Sequence, residues 1–142
     1  AGTIPALQLA KLCFSGKYTY KEIKKMITGK GGMVAHMGTN SFMELNHMVQ
    51  SGDPKATSIY NAMAYTIAKQ IGATAAVLCG QIDGILFTGG ISHNKHFIDV
   101  ITEYVGFLGP CYTYAGEDEM SALAHNAYCV LTGEEVPQTY VG

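Results

Sequence analysis

Ile82-Asp83-Gly84-Ile85-Leu86-Phe87-Thr88-Gly89-Gly90-Ile91-Ser92-His93-Asn94 decides how this chain is read. Gly84 to Thr88 is a short apolar run rich in strand formers, the pattern of a buried strand. It stops at Gly89-Gly90. A helical pattern follows over residues 92–108, with Phe97, Ile101, Tyr104, Val105 and Leu108 on one face. A strand that ends at paired glycines and turns into a helix leaves main chain open at its carboxyl end. Open α/β sheets bind ligands at such ends. Without Cβ atoms, Gly89 and Gly90 let a flat ring or a phosphate lie on the backbone, and free N–H groups opening the next helix favour an anion. The plainer alternative is that the glycines only make a tight turn.

The chain has 142 residues, enough for a domain with its own core. Hydrophobic residues make up 48% and charged residues only 14%, so something else is expected to cover part of the surface. A net charge of -2 gives no electrostatic case for nucleic acid or an anionic membrane. All nine basic residues are lysine, so the bidentate phosphate clamp of arginine is missing. Cys13, Cys79, Cys111 and Cys129 lie far apart in apolar runs with no CxxC pair. They read as buried reduced thiols in a cytoplasmic protein. No apolar run spans a membrane.

Outward from the central stretch, residues 4–14 read as a helix. Thr19 with Glu22 forms a capping box for the next one, which Gly29 ends. Residues 33–37 form an apolar run, strand or buried turn. Ser41 with Glu44 repeats the capping spacing. Asp53-Pro54 opens a helix running to about residue 79, with Ile59, Met63, Ile67 and Ile71 in one line and alanines thinning its flanks. After the strand at 84–88 and its helix comes a second strand, Cys111 to Tyr114. A last helix starts near Asp118, with Met120, Leu123, Ala124, Ala127, Tyr128 and Leu131 on one face, and stops at Gly133. The strand–helix–strand unit implies two parallel strands. Two strands make a poor sheet alone, so the remaining strands are expected from residues outside this sequence or from another copy. The reading is an α/β piece of a longer protein, mostly helical with a short parallel sheet.

Several segments, in order over nearly the whole chain, resemble butyrate kinases: Leu12-Cys13-Phe14-Ser15-Gly16-Lys17-Tyr18-Thr19, Gly29-Lys30-Gly31-Gly32-Met33-Val34-Ala35, Gly38-Thr39-Asn40, Ala62-Met63-Ala64-Tyr65, Phe87-Thr88-Gly89-Gly90-Ile91 and Gly116-Glu117-Asp118-Glu119-Met120. Butyrate kinases are similar to acetate kinases, within the larger group of sugar kinases, Hsp70 and actin. The resemblance implies a two-lobed enzyme with ribonuclease-H-like cores and ATP between the lobes. It would phosphorylate butyrate or a similar short fatty acid, with Mg²⁺, to an acyl phosphate and ADP. Residues 1–142 would be part of the carboxyl-terminal, nucleotide-binding lobe, with the first lobe absent and the catalytic residues upstream. The isolated chain would then be inactive, and marginally stable or self-associating; a homo-oligomer is an open expectation.

By the same resemblance, Gly89 and Gly90 pass under the purine and ribose, Ile91 walls the base, and Asn94 hydrogen-bonds it. Gly38 and Asn40 belong to a loop lining the other side of the nucleotide. Ser41 and Met43 stand where acetate-kinase relatives have an aspartate and an arginine. Asp118 or Glu119 would organise magnesium through water; the alternative for the run Glu117-Asp118-Glu119 is complementarity to the helix dipole. Gly29-Lys30-Gly31-Gly32 lacks P-loop spacing and reads as a helix stop. His93 and His96 read as a solvated helix start, His36 as a core histidine, and Lys21, Lys24 and Lys25 as an exposed face. Ser15 and Ser92 have no local partner for nucleophilic catalysis. An acetate- or propionate-kinase-like enzyme and a non-catalytic nucleotide-binding or interaction domain are the rival readings. A dinucleotide-binding module is disfavoured because GGISHN is not GxGxxG.

Overall fold

The computed structural model describes residues 4–116 and 118–139. Helices come first: α1 (Ala6–Cys13), α2 (Tyr20–Thr28), α3 (Met33–Met37), α4 (Phe42–Gln50) and α5 (Pro54–Val77). Then follow β1 (Ile85–Gly89), a 3₁₀ turn (Gly90–His93), α6 (Lys95–Val105), β2 (Cys111–Ala115) and α7 (Glu119–Thr132). β1 and β2 pair in parallel, Ile85 opposite Cys111 through Gly89 opposite Ala115. The expected strand–helix–strand unit is present, in a mostly helical α/β chain with a short parallel sheet.

Helix starts follow the capping residues. Thr19 and Glu22 complete the capping box of α2, and Ser41 Oγ accepts the Glu44 N–H at 3.3 Å. Asp53 Oδ1 accepts the N–H groups of Lys55 and Ala56 at 2.8 and 3.1 Å, with Pro54 in the first turn of α5. A cap of this kind is worth about 1 kcal/mol. α5 is the structural spine. Its small residues Ala56, Ala64 and Ala68 are buried and let α4 and α6 come close. Leu45 from α4, Tyr60 from α5, Phe87 from β1, and Phe97, Ile101 and Val105 from α6 form the core between them. Phe97 touches Tyr60 and Phe42 edge to face, with ring centroids 4.8 Å apart in both pairs.

Four expectations need correction. Residues 33–37, expected as a strand or a buried turn, form a short helix with no fully buried residue; Gly32 and Gly38, both at positive φ, pinch the run into one turn and a half. The helix expected over 92–108 is divided: Gly90–His93 form a tight 3₁₀ turn, and α6 proper begins after Asn94 and ends at Val105. Cys13 and Cys79 are exposed because both sit at helix carboxyl ends; Cys129 is buried and Cys111 half-buried. His36 is exposed, since α3 turns its Met33, Val34 and Met37 side inward instead. The open apolar surface expected from the composition lies on α7: Met120, Leu123, Tyr128 and Leu131 are all exposed, and Cys129 is the one buried residue of that helix. Among the described residues no helix is long and apolar enough to cross a membrane.

Candidate functional site

The carboxyl ends of β1 and β2 converge on the 3₁₀ turn. Gly89 ends β1 with φ 84 and ψ 177, backbone that glycine adopts without strain. Ser92, buried behind the turn, donates its hydroxyl to the Gly89 carbonyl at 2.6 Å. That bond pins the loop so that Gly90 and Ile91 face outward. A Cβ placed on Gly90 would meet nothing within 4 Å. The main chain there is open to a ligand.

A cleft of about 560 Å³ lies against this turn. Gly90, Ile91, His93 and Asn94 form one wall; Ser41, Phe42, Met43 and Asn46, from the start of α4, form the other. Phe42 and Asn46 are four residues apart and so share a helix face. His93 is the only lining residue able to carry a charge. Such a cleft suits the neutral, flat part of a ligand rather than its phosphates.

Asn94 has a second task. Its Oδ1 accepts the Phe97 N–H at 2.9 Å, which caps α6, and the Tyr60 hydroxyl at 3.2 Å. Tyr60 is buried between Phe42, Phe97 and the His96 ring, which stacks on it at 5.8 Å. Burial pushes the Tyr60 hydroxyl above its ordinary pKa of 10.0. One of the α6 N–H groups expected to favour an anion is therefore already satisfied by the protein itself.

The structure brings Gly90, Ile91 and Asn94 together in one wall, with Gly89 directly behind. Gly38 and Asn40 are set back from the lining. Gly38 closes α3 in the left-handed conformation, and Thr39 Oγ1 accepts the Ser41 N–H at 3.0 Å, so this loop shapes the entry to α4. Asp118 and Glu119 lie exposed at the start of α7, where Asp118 makes no side-chain cap; Glu117 lies outside the described residues. Neighbouring Gly116 reaches the cleft's rim, since a Cβ on it would stand 3.2 Å from His93 Nε2. No group of three His, Cys, Asp or Glu side chains able to hold a metal occurs among the described residues. Phe42, Asn46 and the Tyr60 hydroxyl were not foreseen. The spacing of Phe42 and Asn46 after the Ser41 cap was the available signal for the first two.

A second groove, about 430 Å³, runs between the far half of α5 and the start of β1, lined by Ile67, Ile71, Leu78, Ile82 and Ile85 among others. It lies at the amino end of the strand, whereas parallel sheets bind ligands at the carboxyl end. The glycine cleft is the better candidate site.

Residues 7–129 match the sequence pattern of the acetokinase family. The chain belongs to the acetokinase family. Two relatives carry the name of one branch. "Probable butyrate kinase 2" of Caldanaerobacter subterraneus subsp. tengcongensis is 47% identical over 139 residues, 98% of this chain and 39% of that protein. "Probable butyrate kinase" of Phocaeicola vulgatus is 48% identical over 140 residues, 99% of this chain and 40% of that protein. This acetokinase chain thus spans about two-fifths of the length of those relatives. Two solved structures share its fold. Acetate kinase of Porphyromonas gingivalis superposes with a TM-score of 0.67 at 24% identity, covering 76% of this chain and 27% of that one. A propionate kinase from Francisella tularensis superposes with a TM-score of 0.73 at 19% identity, covering 84% of this chain and 37% of that one.

Proposed function

We propose that residues 1–142 form part of the carboxyl-terminal, nucleotide-binding lobe of a two-lobed carboxylate kinase whose first lobe lies outside this sequence. The full-length enzyme transfers the γ-phosphoryl of ATP to butyrate or a similar short fatty acid. A carboxylate oxygen forms the new bond to phosphorus, the bond to the β–γ bridging oxygen breaks, and ADP leaves with that electron pair. The reverse direction makes ATP. Such a transfer rests on positioning and on positive charge around the equatorial oxygens. With lysine as the sole cationic side chain besides histidine, this chain takes the positioning share, and the catalytic groups lie upstream.

In this reading the adenosine lies on Gly89-Gly90, between Ile91 and the Phe42 side of α4. Gly38 and Asn40 hold the loop that sets that opposite wall. Mg²⁺, which neutralises phosphate charge when bound, prefers to keep its water shell. Asp118 and Glu119 suit it as acceptors through water only, because no third ligand accompanies them among the described residues. The enzyme works in the cytoplasm, and the bare α7 face is available to a second copy.

One observation carries the proposal. An open glycine cleft with almost no charge sits at the carboxyl ends of parallel strands, in a chain nearly half identical to two relatives named butyrate kinase. The full-length protein with ATP, Mg²⁺ and hydroxylamine should yield the hydroxamate of the acyl phosphate. Butyrate should exceed acetate in kcat/KM by about tenfold or more, the scale of about 1.4 kcal/mol in transition-state binding. Preference for acetate or propionate would remove the butyrate assignment. No hydroxamate with any of the three would remove the kinase itself. The isolated chain should give none.

A further inference from the structure

The hydrogen bonds around Asn94 fix more than a helix cap. A backbone N–H can only donate, so the atom facing Phe97 at 2.9 Å must be the side-chain oxygen. The Tyr60 hydroxyl reaches the same oxygen at 3.2 Å. A carbonyl oxygen has two lone pairs, and both are now engaged. The Asn94 amide cannot turn over without breaking both bonds. Its NH₂ group makes no hydrogen bond among the described residues, and Asn94 lines the cleft.

We propose that Tyr60 is a positioning residue that locks the Asn94 amide oxygen inward, so that the cleft meets a purine with an N–H₂ donor and reads one of its ring nitrogens. This rests on the nucleotide reading above and goes beyond it. An Asn free to rotate pairs with an adenine edge through both its atoms, oxygen to N6 and nitrogen to N7. Here the oxygen is spent. Asn94 therefore contributes nothing at the exocyclic amine, and its recognition is of an acceptor, N1, N3 or N7. Tyr60 imposes this from outside the cleft. Its ring is held by Phe42, Phe97 and His96, so the hydroxyl has little freedom to leave. At neutral pH a tyrosine hydroxyl is protonated and able to donate.

The test pairs one protein atom with one ligand atom in the full-length protein. Dissociation constants are measured for ATP and its 1-deaza, 3-deaza and 7-deaza analogues. Two variants are used with the wild type. Asn94→Asp keeps an oxygen for Phe97 and Tyr60 and a good helix cap, but has no NH₂. Tyr60→Phe keeps the ring and loses only the hydroxyl. One analogue should bind the wild type about tenfold more weakly than ATP. That ratio should fall below about threefold in Asn94→Asp, whose added charge weakens ATP and analogue alike, and should fall in Tyr60→Phe as well. A purely structural Tyr60 would change stability and leave the ratio untouched. The inference fails if all three analogues bind the wild type as ATP does, or if the ratio survives in Asn94→Asp. A ratio lost in Asn94→Asp but intact in Tyr60→Phe removes the role of Tyr60. Failure of the wild type to bind ATP or any analogue overturns the nucleotide reading and this inference together, a result distinct from the others.

Discussion

Gly89 and Gly116 exchange two backbone hydrogen bonds, each N–H donating to the other's carbonyl oxygen at 3.2 Å. They form an antiparallel bridge at the end of a parallel pair. Both hold positive φ, 84° and 97°. The bridge ties the strand end that opens the 3₁₀ turn to Gly116, just beyond β2.

Gly116→Ala should therefore destabilise the protein by about 1–3 kcal/mol through backbone strain. The new Cβ would also meet the His93 ring, but that side chain is exposed and can shift. Gly90→Ala is the matched control, because Gly90 has no left-handed φ and its Cβ direction is open. Thermal melting should rank Gly116→Ala clearly below Gly90→Ala. Equal melting temperatures would show that the bridge bears no strain.

Gly90→Val separates binding from folding. The fold has room for the side chain, yet it projects toward the cleft. The melting temperature should stay within a few degrees of wild type. Affinity for ATP should drop at least about tenfold, or about 1.4 kcal/mol. An unchanged dissociation constant in a folded Gly90→Val protein would remove Gly89-Gly90 as the adenosine platform.

Tyr60 gives the protein an alkaline limit. Burial raises the folded-state pKa above the ordinary 10.0. The folded state therefore favours the neutral phenol. Its contribution is complete below pH about 10 and is lost as pH rises through the higher folded value. Unfolding followed from pH 8 upward should show a steeper loss of stability in wild type than in Tyr60→Phe. Parallel curves would place the alkaline limit elsewhere.

Glu22 sets the opposite limit for α2. The Thr19 backbone N–H and hydroxyl, at 2.7 and 2.8 Å, hold its carboxyl below the ordinary 4.5. The cap is complete above pH about 4.5 and is lost as pH falls through the lower folded value. Protection of the first-turn amides of α2, taken relative to their intrinsic exchange rate, should fall with acid in wild type. In Glu22→Ala, which cannot accept the Thr19 N–H, that protection should be low already at neutral pH. A wild-type profile flat to pH 2 would contradict this assignment.

Much of this was legible because the deciding signals are local. Gly84 to Gly90 shows where β1 stops, and Asp53-Pro54 where α5 begins; both are read within one turn of chain. Met33 to Met37 misleads because a five-residue, mostly apolar run suits a strand and a helical turn equally. The flanking glycines decide it, through dihedral angles no composition reveals. Cys13 and Cys79 have apolar neighbours but sit where helices end, and only tertiary packing shows that nothing covers them. The union of α4 with the 3₁₀ turn was foreseen in outline, from the resemblance of Gly38-Thr39-Asn40 to a nucleotide-lining loop. Of its lining side chains, Ile91 and Asn94 were named from the same resemblance, whereas Phe42 and Asn46 were not, because helix phase selects them. Tyr60 was invisible: 34 residues separate it from Asn94, and its hydroxyl matters only once α5 and α6 are packed.

The pairing of β1 with β2 has a kinetic consequence. Along a parallel strand, successive amides point to opposite neighbours. Ile85 and Gly89 send their N–H groups toward the β2 side, to Pro110 and Gly116; by alternation Phe87 does too, while Leu86 and Thr88 point away. No described strand stands on that other side. Deuterium should therefore enter β1 at two rates in one five-residue segment, fast at Leu86 and Thr88 and slow at their neighbours. In the full-length protein that alternation becomes a gauge of assembly: it vanishes when another strand takes up the idle amides.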